Sequence, residues 1–277
     1  MNWLLETVLQ PWTEPFMRRA LLVAVVAAVV CATVGVYVVL RGMAFIGDAV
    51  SHSVFPGVAA AYLLDLPLVA GGAAAGVATA VVVAVVARNR RLGEDAVIGV
   101  LFAFAFGLGI VLVSSQRGYS GDLASFLFGQ VLAVSETDVL WVSAVGALVV
   151  LLAVGLRREL TALCLDRETA SVCGLPVFRL ELALYLMVTV AIVISLEAVG
   201  NILVLALLVT PAATARLLTD RLGVMMALAA GLGAAGALLG LYLSYQLRLA
   251  AGGMIVTVLT GFFVLAWLVA RRGPRGG

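Results

Sequence analysis

The residue types best suited to chemistry in this sequence lie in the stretch GDAVSHSVFPG, residues 47–57. Asp48 and His52 are four residues apart, which places both side chains on one face of a helix. A carboxylate and an imidazole are costly inside an apolar protein, so such residues usually face a cavity or a partner. Carboxylate oxygen and imidazole nitrogen together suit zinc, manganese or iron(II). Residue types alone leave three interpretations open: a metal contact, a hydrogen-bonded pair that locks two helices, and a proton relay.

The number of ligands in this turn is small, because His52 is the only histidine of the chain. One Asp and one His supply two ligands, fewer than the four of a tetrahedral site. A homodimer with its twofold axis along the pathway would supply four, which predicts a second copy or a close paralogue. An incomplete ligand set also suits a site that must release its ion.

Two further residues have candidate roles. Glu197, in SLEAVGN, lies at the predicted outer end of a span, where it is either an interfacial carboxylate or an entry-side ligand. Pro211 lies inside a predicted span, where it removes one backbone hydrogen bond and predicts a kink. That kink serves either helix packing or a break that lines the pathway.

The elements that must position these residues are membrane-spanning helices. The 277 residues are 64% hydrophobic and 12% charged, whereas soluble globular chains carry about 25% charged residues. The predicted fold is all-α, a polytopic integral membrane helical bundle of about eight or nine spans. It forms one transmembrane domain over residues 1–277. The nine apolar runs are 20–40, 46–64, 67–87, 94–114, 137–156, 180–198, 200–217, 222–245 and 252–270.

The connections between these runs orient the chain. Those rich in arginine are predicted to be cytoplasmic: 88–91, 157–158, 216–221 and 271–275. Residues 1–19 predict an interfacial N-terminal segment, and 122–134 predict a short external re-entrant or interfacial helix. Residues 159–179 are the longest polar interruption and predict a cytoplasmic coupling segment, a natural surface for a motor protein to push.

The basic residues exclude some classes of function. All 17 are arginine, so the chain has no P-loop sequence GxxxxGK[ST] and is not itself a Walker-type ATPase. The arginines are scattered at span ends, which does not favour nucleic-acid binding. The sequence contains neither HExxH nor GxSxG, so an intramembrane enzyme is not supported. No permanently bound cofactor is predicted.

Several blocks of the sequence resemble one known family, the permease subunits of ABC importers for zinc, manganese and iron. The first block is VYVVLRGMAFIGDAVSHSVFPGVAAAYLL, which contains the Asp48–His52 turn. The resemblance continues in the same order along nearly the whole chain through DLASFLFGQVLAVSETD, DRETASVCGLP, VGNILVLALLVTPAATARLLTDRL and GLYLSYQL.

The resemblance implies partners and a mechanism. Two permeases, identical or paralogous, form the pore in the lipid bilayer of the bacterial cytoplasmic membrane and work by alternating access. A cytoplasmic ABC ATPase dimer hydrolyses ATP, and an extracellular or periplasmic binding protein delivers the metal ion. The resemblance assigns Asp48 and His52 as metal contacts. It also implies that residues 166–176 face the ATPase, with four matching positions: Asp166, Glu168, Ala170 and Gly174.

The sequence departs from the family after the SY pair of GLYLSYQL. An acidic residue and a proline-serine-glycine run are often found there, but this chain has QLRLAAG, with Arg248 near the predicted outer mouth. An arginine is unexpected beside a cation pathway. The function expected from the sequence is import of a divalent metal ion, with zinc, manganese and iron equally compatible. The alternatives are an ABC permease for a metal chelate or haem-like cofactor, and a proton-coupled secondary transporter.

Overall fold

The computed structural model describes residues 10–87, 94–114 and 134–272. All regular structure in these ranges is helical: a short 3-10 helix, Gln10–Thr13, and eleven α-helices. Lipid offers no hydrogen-bond partners, so each apolar run satisfies its backbone groups internally by forming a helix. The helices are α1 Pro15–Leu40, α2 Ile46–Leu63, α3 Leu68–Val86, α4 Glu94–Ser114, α5 Glu136–Gly155, α6 Arg157–Leu165, α7 Arg167–Val172, α8 Val177–Val199, α9 Asn201–Leu218, α10 Leu222–Leu247 and α11 Ala251–Arg272.

The prediction of an all-helical membrane protein is confirmed for the described residues, and each of the nine predicted runs coincides with a helix. Within the described part of the chain, six helices are long and apolar enough to cross a membrane: Pro15–Leu40, Glu136–Gly155, Val177–Leu196, Asn201–Leu218, Leu222–Leu247 and Ala251–Arg271. Ala70–Val86 and Asp95–Val111 are shorter apolar stretches. Eight or nine crossings therefore remain a prediction.

The start of the first membrane helix differs from the prediction. Helix α1 begins at Pro15, inside the segment 1–19 that was predicted to lie at the interface. Proline has a fixed φ suited to the first helical position, where its missing N–H leaves no bond unmade. The segment 159–179 is divided between α6, α7 and the start of α8. The predicted re-entrant helix at 122–134 lies, up to residue 133, outside the described residues.

The chain divides into two compact units, which are described separately. Unit 1 comprises Met1–Val36, Ser125–Leu148 and Ile194–Gly277. Unit 2 comprises Tyr37–Ala124 and Val149–Val193. The single domain over residues 1–277 remains a prediction.

Unit 2 is built around α2, which packs against α3 and α4. The helices α2 and α3 touch through their backbones, because a Cβ on Gly57 would lie 2.4 Å from the Gly71 carbonyl oxygen. Further along α3, a Cβ on Gly72 would meet Val54 of α2 at 2.9 Å. Small residues allow this close approach of apolar helices, as in other membrane proteins. The result is a fixed orientation of α2, the helix that carries Asp48 and His52.

Unit 1 contains α9, α10 and α11, which pack on one another. A Cβ on Gly240 of α10 would lie 2.5 Å from the Ile255 Cα of α11. Helix α9 continues through the buried Pro211 to Leu218, so the proline does not end the helix. The predicted kink at Pro211 remains a prediction.

Candidate functional site

The Asp48–His52 turn is positioned by a short connection between two helices. Helix α1 ends at Leu40, and Gly42 adopts a left-handed φ of 70°. The N–H of Met43 then donates to the Val38 carbonyl at 3.0 Å, which closes the end of α1 in the manner of a glycine C-cap. Helix α2 begins at Ile46, only a few residues later.

Within α2, Asp48 lies in the first turn, where the helix dipole stabilises a carboxylate. His52 lies one turn further along, and both residues are half-buried. Because the two residues are one turn apart on the same helix, their side chains share one face of α2. The structure therefore brings the two predicted metal contacts together in a partly dehydrated position, where each remains accessible to an ion.

Two aromatic side chains of α4 hold the imidazole. The His52 ring makes edge-type contacts with Phe102, at 4.9 Å between centroids and an interplanar angle of 81°, and with Phe106, at 5.2 Å and 89°. Phe102 and Phe106 are one turn apart and stack on each other at 6.1 Å. Such contacts restrict the plane of the ring. Sequence reasoning missed this pair, although the spacing of the phenylalanines in FAFAF, residues 102–106, was a visible signal.

The described residues contain no cluster of three or more His, Cys, Asp and Glu side chains that could hold a metal ion. Asp48 and His52 together thus offer an ion two protein ligands, short of a closed structural site. Glu197, the predicted entry-side residue, lies near the end of α8, and its side chain is outside what the structure describes. Its role remains a prediction.

The predicted coupling segment has a capped and ordered backbone. Asp166 caps α7 by accepting hydrogen bonds from the N–H groups of Glu168 at 3.0 Å and Thr169 at 3.1 Å, and from the Thr169 hydroxyl. The Thr169 hydroxyl, followed by these two N–H groups, holds the pKa of the Asp166 carboxyl below its usual value. At the other end Gly174 takes a φ of 78°, and Leu175 N–H donates to the Ala170 carbonyl at 3.1 Å.

The four predicted coupling positions do not point the same way. Asp166, Glu168 and Gly174 are exposed, whereas Ala170 is 1% exposed and packs against its own chain. Ala170 therefore anchors α7, and the other three positions lie on the exposed side of the segment; their contact with an ATPase remains a prediction. The side chain of Glu181, which sequence reasoning did not single out, lies nearby in the ion-pair network with Arg167.

Arg248 is the C-cap of α10 and takes a left-handed φ of 54°. Its turn is held by the Ser244 hydroxyl, which donates to the Leu249 carbonyl at 2.6 Å. Arg248 is exposed and lines a cavity of about 580 Å³ together with Phe16, Met17, Leu241, Ser244, Tyr245, Gln246 and Leu249. This part of unit 1 is separate in sequence from the Asp48–His52 turn.

Proteins of known family resemble the chain over most of its length. It is 42% identical over 253 residues to the manganese transport system membrane protein MntC of Halalkalibacterium halodurans, which covers 91% of this chain and 86% of that protein. It is 38% identical over 267 residues to the chelated iron transport system membrane protein YfeC of Yersinia pestis, covering 96% of this chain and 90% of that protein.

Solved structures agree with these relatives. A chain of PsaBC from Streptococcus pneumoniae, solved in complex with Fab, superposes with a TM-score of 0.83 at 34% identity and covers 95% of each chain. A putative metal-chelate type ABC transporter in an inward-facing conformation shares the fold, with a TM-score of 0.72 at 15% identity. The ABC 3 transport family matches residues 13–270. The chain is thus a multi-pass membrane protein that belongs to the ABC 3 transport family.

Proposed function

We propose that this chain is the membrane-spanning permease subunit of an ATP-driven importer of divalent transition-metal ions. The observation that carries the proposal is the Asp48–His52 turn, half-buried on one face of α2 and fixed by Phe102 and Phe106. A carboxylate and an imidazole held this way inside an apolar protein suit transient contact with a borderline or harder cation. The relatives named for manganese and chelated iron support a metal cargo.

The proposed assembly supplies what the chain lacks. A second permease, identical or paralogous, completes the ligand set across a twofold axis, because one chain offers two protein ligands in this turn. A cytoplasmic ABC ATPase dimer hydrolyses ATP, since the sequence has no P-loop lysine. An extracellular or periplasmic binding protein delivers the ion, and alternating access in the bacterial cytoplasmic membrane carries it inward. Manganese, iron and zinc are the candidate ions.

Reconstitution tests this function. The permease, its partner ATPase and its binding protein are placed in proteoliposomes, and uptake of Mn²⁺ is measured with ATP and with a non-hydrolysable analogue. The proposal predicts uptake that requires ATP hydrolysis and is reduced by competing free Fe²⁺ or Zn²⁺. Uptake of an iron chelate in preference to every free ion would favour the chelate importer. Uptake by the permease alone, driven by a pH gradient, would favour a proton-coupled secondary transporter and contradict the proposal.

The aromatic contacts predict a graded effect on transport. Phe106→Leu removes one edge contact with the His52 ring while it keeps an apolar side chain, so the imidazole samples more orientations. Aromatic contacts contribute about 0.5–1.5 kcal/mol, so uptake is expected to fall about two- to tenfold. The measurement is initial uptake rate in the reconstituted system. Phe104→Leu is the matched control, because Phe104 lies on the same helix and is 65% exposed; equal effects of both changes would contradict the role of Phe106.

The exposed acidic residues of the coupling segment predict a basic surface on the ATPase. Glu168→Arg places a like charge against that surface, so the affinity for the ATPase is expected to fall by more than about tenfold. Binding of the purified ATPase to the permease in detergent measures the change. Asp220→Arg is the control, because it reverses a carboxylate that is 92% exposed in another predicted cytoplasmic connection. An unchanged affinity for the Glu168→Arg protein would remove Glu168 from the docking surface.

A further inference from the structure

Unit 2 contains a carboxylate that the proposed transport pathway does not use. Glu181 lies in the second turn of α8 and is 1% exposed. A charged carboxylate is costly to bury, and it persists only with opposite charges and hydrogen bonds around it. The chain meets this requirement with two arginines that come from distant parts of the sequence.

Each oxygen of Glu181 has its own arginine. Arg41 Nη2 lies 3.2 Å from Oε1, and Arg167 Nη2 lies 3.0 Å from Oε2. Arg41 follows the end of α1, and Arg167 is the first residue of α7. Arg167 Nη1 also approaches the carbonyl of Ala87 at 3.5 Å, just past the end of α3. Glu181 and its two arginines together thus connect the coupling segment to the end of α1, the end of α3 and the start of α8.

The two arginines are not equivalent. The Arg41 side chain is 7% exposed, whereas the Arg167 side chain is 35% exposed. If Arg167 moves away, Glu181 and Arg41 remain as a neutral buried pair. If Arg41 moved away instead, a buried guanidinium would lose the carboxylate that balances its charge, which is far more costly. The ion pair between Arg167 and Glu181 is therefore the one that can break and form again at lower cost.

Arg167 lies next to the exposed residues of α7 that are proposed to contact the ATPase. Its neighbours in sequence are Asp166, which caps α7, and Glu168, which is exposed. Ala170 packs inward one turn later, so α7 has one face anchored to its own unit and one exposed face. Because Arg167 belongs to α7 and Glu181 to α8, a displacement of α7 relative to α8 changes the separation of their charged groups.

We propose that Arg167 and Glu181 are positioning residues that transmit the displacement of the coupling segment to the start of α8 and the end of α1. The inference rests on the proposed function, because it assigns the displacement to an ATPase bound at α7. Arg41 keeps the carboxylate in place, and Arg167 joins or leaves it as α7 moves. Loss of the Arg167 bond should therefore separate ATP hydrolysis from transport without preventing either assembly or hydrolysis.

The test compares Arg167→Gln, Arg167→Lys and Arg179→Gln in the reconstituted complex, with metal uptake and ATP hydrolysis measured on the same sample. Arg179 is an exposed arginine two residues before Glu181, outside residues 166–176 that face the proposed ATPase, and serves as the matched control. Uptake per ATP is expected to fall at least about fivefold in Arg167→Gln, the lower end of the usual coupling between sites. Hydrolysis is expected to persist. Arg167→Lys keeps the charge and should retain most of the coupling, and Arg179→Gln should match the wild type.

Several results would overturn the inference. The first three concern the Arg167→Gln complex: an unchanged uptake of metal per ATP, an equal loss of uptake and ATP hydrolysis, or failure to assemble. The fourth is an equal fall in uptake per ATP in the Arg179→Gln complex. A lysine variant as uncoupled as the glutamine variant would also contradict it. A wild-type complex that hydrolyses ATP but takes up no metal would contradict the proposed function itself. A wild-type complex that transports metal, together with an Arg167→Gln complex that transports equally well, would contradict only the role of Arg167.

Discussion

Replacing Asp48 or His52 with alanine is expected to lower metal uptake by more than about 100-fold, because even residues that only orient a metal ligand are worth about 10- to 100-fold. The two side chains share one face of α2. If both contact the same ion, the double substitution should cost little more than either single one, since the contacts act as a unit. Initial rates of uptake in proteoliposomes measure this effect.

The same variants distinguish the metal role from a hydrogen-bonded pair that only locks helices. A structural pair predicts loss of folded protein, whereas the metal role predicts normal insertion, assembly and basal ATP hydrolysis. Asp95→Ala is the matched control, because Asp95 is an exposed carboxylate near the start of α4 in the same unit. Uptake at the wild-type rate by correctly assembled Asp48→Ala and His52→Ala proteins would contradict the proposed pathway.

A second large effect is expected at Gly35 in unit 1. A Cβ built there would lie 1.8 Å from the Leu208 carbonyl oxygen, so the backbones of α1 and α9 are in direct contact. Leu208 lies three residues before Pro211, in the stretch of α9 where the proline has already removed one backbone bond. Gly35→Ala therefore forces two helices apart, and we expect it to destabilise the protein by about 1–3 kcal/mol or more.

Thermal unfolding in detergent measures this prediction. The Gly35→Ala protein should unfold at a clearly lower temperature and give less monodisperse protein on size exclusion. Gly231→Ala is the control, because a Cβ on Gly231 of α10 would meet no atom within 4 Å. That change should be neutral or slightly stabilising, since alanine favours helix over glycine by about 0.5–1 kcal/mol. Equal midpoints for the two variants would show that α1 and α9 do not touch at Gly35.

The elements of the fold could be predicted from the sequence because the membrane leaves few choices. Every apolar run of sufficient length forms a helix, since lipid cannot satisfy a free backbone group. The beginning of α1 at Pro15 was missed, because the prolines and tryptophans of residues 1–19 were interpreted as an interfacial segment. Proline at a first helical position is equally compatible with that sequence.

The surroundings of the site could not be predicted, because they depend on how helices pack. His52 is identifiable as the single histidine, yet its contacts with Phe102 and Phe106 come from a helix 50 residues further along the chain. Glu181 falls at the edge of a predicted span and has the pattern of an ordinary interfacial carboxylate. Its burial becomes intelligible only once Arg41 and Arg167 are seen on its two oxygens.

Ala170 illustrates the same limit in the coupling segment. Because Ala170 matches a position of the family's coupling region, the resemblance placed it near the ATPase. The sequence alone cannot distinguish a residue that contacts a partner from one that supports its neighbours. The structure places Ala170 inward and leaves Asp166 and Glu168 exposed, which divides the segment into an anchoring face and an outer face.

The most direct test of the account is whether the His52 nitrogen binds the transported ion. The chain contains one histidine, so electron spin-echo spectroscopy of Mn²⁺ bound to the assembled complex, prepared without a polyhistidine tag, can be assigned to one residue. With only the permease labelled with ¹⁵N-histidine, the account predicts imidazole nitrogen coupling that changes frequency on labelling and disappears in His52→Ala. A complex that binds and transports Mn²⁺ without any coupling sensitive to this label would contradict it.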